Sequence, residues 1–126
     1  MKKVKGEFPR DITNVINEAK IMASLKSDEL TICVDLYNYK ETVYIMLEYM
    51  DQGSMSNIVT KFHHRYSEDF CRYSLYKVIK GLKKMHDNNV LHRDIKSDNI
   101  LHSRKGDVKI TDLGLACYLS ANRTRR

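Results

Sequence analysis

The stretch His92-Arg93-Asp94-Ile95-Lys96-Ser97-Asp98-Asn99 is followed, thirteen residues after Asn99, by Asp112-Leu113-Gly114. Together these segments put the carboxylates of Asp94 and Asp112, the amide oxygen of Asn99 and the amine of Lys96 on polar loops beside short apolar runs. Hard oxygen ligands that leave coordination positions open suit Mg²⁺ bound together with substrate phosphates. A nearby ammonium neutralises charge on a phosphoryl group in transit. The chemistry these residues point to is phosphoryl transfer. His63, His64, His86 and His102 show no ligand spacing with cysteine or paired carboxylates and read as surface or helix-end residues. Cys33, Cys71 and Cys117 lie far apart without a CxxC pair, which argues against a zinc site or a disulfide framework.

The elements that must position these residues follow from periodicity. Ile12, Val15, Ile16, Ala19, Met22 and Ala23 recur at helical spacing, so residues 12–25 are expected to form an amphipathic helix, with Glu18 near its apolar stripe. Thr31 to Tyr37 and Val43 to Glu48 are rich in β-branched and aromatic residues and flank a polar turn, the pattern of an antiparallel hairpin. Ser54 to Phe62 reads as a short helix. Ser67 is an N-cap followed by acidic Glu68 and Asp69, and Cys71, Leu75, Val78, Ile79, Leu82 and Met85 mark one face of a long helix that stops near Asn88-Asn89. Beyond it, Val90-Leu91, Ile100-Leu101 and Val108 with Ile110 read as short strands, the last two separated by a turn at Lys105-Gly106-Asp107. Loops carried on such a base are a usual place for chemistry.

The 126 residues are 42% apolar and 30% charged, an ordinary globular composition sufficient for one small core. No run approaches the roughly 18–20 apolar residues of a membrane span, and the N-terminus lacks the apolar segment of a signal peptide, so a cytoplasmic location is expected. The formal charge of +6 is concentrated at Lys2, Lys3 and Lys5 and at Arg123, Arg125 and Arg126. No aromatic residues interleave with these clusters, so a solvated face is favoured over a nucleic-acid platform.

The catalytic segment resembles that of the eukaryotic protein kinases, H-R-D-x-x-x-x-N followed by D-F-G. Lys96, two positions after Asp94, is similar to the serine/threonine-specific branch, and Ile95 to Leu101 looks most like the PAK-type kinases. The resemblance implies an α+β, kinase-like fold in part. Residues 1–47 would belong to the small lobe, 48–53 to the hinge, and 54–126 to the large lobe as far as the start of the activation segment. It implies ATP and Mg²⁺ as cofactors and a protein bearing serine or threonine as substrate. Asp94 would accept the proton of the substrate hydroxyl, Lys96 would contact the γ-phosphate, and Asn99 and Asp112 would hold Mg²⁺. Arg93 would pair with a phosphate on the activation segment, or else form a surface ion pair.

By the same resemblance Lys2 would bind the α- and β-phosphates with Glu18, sixteen residues on, holding it in place; a solvated lysine and an exposed helix glutamate are the plainer alternative. The backbones of Glu48 and Met50 would meet the adenine edge, Leu47 would control access behind it, and Leu101 would floor the ring, although it serves equally well as a core leucine. Met22, Leu36, His92 and Leu113 match the spine of side chains that kinases stack between the lobes. Leu113 replaces the usual phenylalanine, keeping an apolar plug without ring packing.

On the family pattern the glycine-rich loop lies before Lys2, and the activating phosphothreonine, A-P-E and the peptide-binding helices lie after Arg126, so the resemblance covers about half of a kinase domain. Part of the apolar face of Phe70 to Met85 is then expected to be exposed, and residues 1–126 alone are expected to show little activity. Three function classes stand side by side: a serine/threonine kinase, a catalytically silent kinase-derived binding or regulatory fragment, and a small basic nucleic-acid module. The last would require salt-sensitive binding.

Overall fold

The computed structural model describes residues 2–5, 9–40, 42–62 and 66–119, with residues 2–5 and 9–12 described by backbone alone. Helix α1 (Pro9–Ser24) begins three residues earlier than its periodicity suggests, because proline at the first helical position forfeits only an N–H that would lack a partner anyway. Val15, Glu18, Ala19, Met22 and Leu25 form its buried stripe, joined by Ile21, whereas Ile16 and Ala23 face outward. The stripe packs toward an antiparallel sheet of strands β1 (Lys2–Lys5), β2 (Cys33–Tyr39) and β3 (Thr42–Leu47) in the order β1-β3-β2. The expected hairpin is present, but β2 starts two residues later than Thr31 and carries a register shift between Cys33 and Asp35.

After β4 (Gly53–Ser54), helix α2 (Met55–Lys61) is capped by the Ser54 hydroxyl, which accepts from the Asn57 N–H. Helix α3 (Glu68–Asp87) is capped likewise by Ser67, and its twenty residues make it about 30 Å long. Asn89 adopts the left-handed conformation (φ 57°) at its end. Short strands β5 (Val90–Leu91), β6 (Ile100–His102), β7 (Val108–Ile110) and β8 (Cys117–Tyr118) follow. They form one sheet in the order β4-β6-β7 and a two-stranded ladder of β5 with β8. Strand β8 was not legible as a strand: two residues carry no alternation, and only pairing with β5 defines it.

Most of the core is a single cluster that includes Ile21, Met22, Leu25, Leu30, Val78, Met85, Val90, Val108, Ile110 and Leu113. The buried side of α3 is Ser74, Val78, Gly81 and Met85, while Leu75 and Ile79 are exposed at 59% and 56%. The exposed apolar face expected for this helix is thus present.

The segment between α1 and β2 is fixed to the rest of the core. Leu30 bridges to Ile110, the Thr31 N–H donates to the Ile110 carbonyl (2.9 Å), and the Ile110 N–H donates to the Glu29 carbonyl (2.9 Å). The buried Glu29 carboxylate accepts from Lys77 (3.2 Å), Lys80 (2.9 Å) and Ser27 (2.8 Å). These contacts outweigh the burial that raises a carboxyl pKa and hold Glu29 down at about 2. Gly81 lies directly beneath this junction. A Cβ there would come within 2.9 Å of the Ile110 side chain and 3.2 Å of the Glu29 carbonyl.

Candidate active site

The loop between β5 and β6 is built on His92. The Asp94 N–H donates to His92 Nδ1 (3.2 Å), so that nitrogen carries no proton and Nε2–H donates to the Thr111 carbonyl (3.0 Å). Burial depresses the pKa of this ring, which is 2% exposed, and keeps it neutral in that tautomer. Arg93 is left-handed (φ 67°), a backbone state costing a non-glycine residue roughly 1–2 kcal/mol. The turn directs its Nε to the Leu115 carbonyl at 2.6 Å. Asp112, also left-handed (φ 61°), opens a 3-10 turn over Leu113–Leu115 and accepts from the Gly114 N–H.

Asp94, Lys96 and Asn99 converge. Lys96 Nζ lies 2.7 Å from Asp94 Oδ2, and Asn99 Nδ2 donates both to the Asp94 carbonyl (2.9 Å) and to Oδ2 (3.0 Å). With its nitrogen committed, the Asn99 amide turns its oxygen away from Asp94. Asn99 itself is buried, held by a 3-10 turn over Ser97–Asn99, and its carbonyl accepts from the Thr111 N–H (3.0 Å). Asp112 follows Thr111 directly, so the two loops are linked. Lys96 lowers the Asp94 pKa, chiefly through their hydrogen bond, and Asp94 raises that of Lys96, with a smaller contribution from the Asp112 charge. At neutral pH Asp94 is therefore a carboxylate and Lys96 an ammonium, beside the Asn99 amide and one linked loop away from Asp112.

That donor set fits Mg²⁺ bound partly through phosphate oxygens: hard oxygens, too few to enclose the ion. Among the described residues no group of three or more His, Cys, Asp or Glu side chains is placed to hold a metal by itself.

The remaining sequence candidates lie around the junction of the two larger sheets. Glu18 is 3% exposed on α1, so it is not a surface glutamate. Lys2 pairs with Ile45 through the backbone of β1, but its side chain, and hence its expected pairing with Glu18, lies outside the described residues. Leu47 is half-buried against the core, Met50 is buried, and Leu101 is half-buried in β6 opposite Ser54 and Lys109. The Glu48 N–H donates to the Ile32 carbonyl (3.0 Å).

Two expectations are corrected. Leu36 does not join Met22 and Leu113 in the core: it is 40% exposed, and the residue of β2 that packs on both core clusters is Cys33, ahead of the register shift. His102 is not a surface residue. Alternation along β6 turns it inward with Ile100, where it stacks on Phe70 (centroids 5.1 Å apart) and its Nε2 lies 3.0 Å from the Ser74 hydroxyl. Burial lowers its pKa, and its Nδ1 has no partner among the described residues. Lys109, which drew no attention in the sequence, is buried and paired with Glu48; its position between Val108 and Ile110 was the available signal. His63 and His64 lie outside the described residues, whereas His86 is exposed near the end of α3.

A scan against protein families matches the protein kinase domain over residues 1–126. The chain belongs to the protein kinase domain family. Among curated relatives, this chain is 36% identical over 112 residues to the serine/threonine-protein kinase shk1/pak1 of Schizosaccharomyces pombe, covering 89% of this chain and 17% of the relative. It is 38% identical to the serine/threonine-protein kinase STE20 of Candida glabrata, covering 89% of this chain and 12% of the relative. In fold it resembles a chain in the crystal structure of the yeast RNA Pol II CTD kinase CTDK-1 complex, with a TM-score of 0.81 at 30% identity. That match covers 95% of this chain and 39% of the other. The chain thus spans less than a fifth of the curated relatives' length, and its similarity to the PAK and STE20 proteins agrees with the wording of residues 95–101. Among the described residues no helix is long and apolar enough to cross a membrane.

Proposed function

We propose that the protein carrying this chain is a serine/threonine kinase that transfers the γ-phosphoryl group of ATP to a protein hydroxyl. The observation that carries the reading is the Asp94–Lys96–Asn99 cluster linked through Thr111 to Asp112. Asp94 aligns the attacking hydroxyl and receives its proton. Its lowered pKa makes it a weak base while Lys96 faces it alone, so orientation outweighs early proton removal. Lys96 has three donors and serves Asp94 and the γ-phosphate together. Asn99 and Asp112 would hold Mg²⁺, which would supply charge neutralisation for the phosphates.

Residues 48–53 form the hinge, with residues 1–47 before it in the small lobe and residues 54–126 after it in the large lobe. Glu48 and Met50 meet the adenine edge through their backbones, Leu47 closes the space behind it and Leu101 floors it. The Met50 carbonyl already accepts from the Gly53 N–H (3.1 Å), which leaves the Met50 N–H as its hinge group. Lys2 is assigned to the α- and β-phosphates with Glu18 as its anchor, and the burial of Glu18 supports that role. Arg93, whose Nε already holds the Leu115 carbonyl, offers its remaining guanidinium donors to a phosphate on the activation segment. A cytoplasmic site of action accords with this substrate class.

The test is the full-length protein with Asp94→Asn. This change keeps the shape of the site and removes the proton acceptor, so kcat should fall by about 10²–10⁴ with nucleotide affinity nearly unchanged. Turnover like that of the wild type would sink the role of Asp94. A wild-type protein that binds Mg·ATP but phosphorylates no serine or threonine substrate would favour the silent regulatory reading instead.

A further inference from the structure

Lys109 is the middle residue of β7, between two core residues, and all three are buried. A lysine is almost never buried without a partner. Its Nζ lies 2.9 and 3.0 Å from the two carboxylate oxygens of Glu48, 61 residues away in sequence. Glu48 is held from a second side as well. Its Oε1 accepts from the Ile32 N–H at 2.8 Å, and its own N–H donates to the Ile32 carbonyl at 3.0 Å. Side chain and main chain of this one residue are therefore both fixed, the first by β7 and the second by the segment entering β2.

We propose that Lys109 is a positioning residue for the purine base: by clamping the Glu48 carboxylate it sets the orientation of the Glu48 peptide that faces adenine. The proposal rests on the kinase reading above. Lys109 touches no nucleotide atom. Its ammonium restrains the carboxylate, the carboxylate with Ile32 restrains the peptide, and the peptide carbonyl is held ready for the exocyclic amine of adenine. Because the clamp acts on the base and not on the phosphates, its loss weakens nucleotide binding uniformly in ground and transition states, which raises KM and spares kcat.

A purely structural ion pair predicts something different. Removing one partner of a buried pair destabilises the fold, while replacing both by neutral groups is often tolerated. The experiment compares wild type, Lys109→Met, Lys109→Arg and the double variant Glu48→Gln with Lys109→Met in the full-length protein. Thermal unfolding, adenosine and Mg·ATP affinity by calorimetry, and kcat and KM for ATP are measured for each. Lys109→Met should lose stability and bind adenosine about tenfold more weakly, the equivalent of one hydrogen bond of about 1.4 kcal/mol. Lys109→Arg should restore most of that affinity. The double variant should regain stability yet keep the weak adenosine binding and the raised KM, and kcat within about twofold of wild type is expected of Lys109→Met. Adenosine affinity like that of wild type in the folded double variant would overturn the proposal while leaving the kinase reading intact. A wild-type protein that binds neither adenosine nor Mg·ATP would refute the kinase reading and this inference with it.

Discussion

Glu29→Gln tests what holds the segment between α1 and β2 onto α3. The substitution preserves shape and leaves Ser27 a partner, but it removes the charge that faces Lys77 and Lys80 at 3.2 and 2.9 Å. Glu29 is depressed from 4.5 to about 2, which as a full linkage effect would amount to about 3 kcal/mol at neutral pH. Lys80 is half-exposed, and solvent screening reduces the expected loss to about 1–2 kcal/mol. The sign follows from the depressed folded-state pKa. The contribution is fully present above the unfolded-state value of 4.5 and is lost as pH falls toward about 2. Urea unfolding of wild type and Glu29→Gln at steps from pH 7 down to pH 3 should therefore show a gap of about 1–2 kcal/mol at pH 7 that narrows below about pH 4.5. Molar salt should shrink it in part, since Lys80 is accessible to ions. A gap independent of pH over this range would mean that the carboxylate charge does not hold the junction and that the backbone bonds of Thr31 and Ile110 suffice.

Two further outcomes follow. Gly81→Ala, which would stabilise an open helix by about 1 kcal/mol, should here lower stability by about 1 kcal/mol net, because overpacking costs about 1–3 kcal/mol where a Cβ meets Ile110 and Glu29. A raised melting temperature in that variant would contradict the tight contact. Asp112→Ala in the full-length protein should abolish the Mg²⁺-dependent part of ATP binding, and calorimetry with and without Mg²⁺ gives the answer; unchanged Mg·ATP affinity would put the metal site elsewhere.

Local chemistry wrote much of this molecule into its sequence. Ser67 caps α3 as its hydroxyl suggests, Asn89 takes the left-handed stop that asparagine tolerates, and the spacing of Asp94, Lys96 and Asn99 already specified that they share one loop. Periodicity also found the two long helices, since apolar residues recur at helical spacing over several turns of each, although not all of them are buried. It failed where a side chain's surroundings come from distant segments. Leu36 and Cys33 lie on the same edge strand and are both apolar, yet only Cys33 packs on the core, while Leu36 is left 40% exposed farther along the strand. His102 and Lys109 look like surface residues by type, and two strands of three residues are too short to announce their inner faces; α3 above one and Glu48 beside the other enclose them. The sequence by itself determined which groups are available for the proposed phosphoryl transfer. Tertiary structure alone decided that Lys109 is buried against a half-buried Glu48, because shielding such a pair requires two chain segments 61 residues apart to meet.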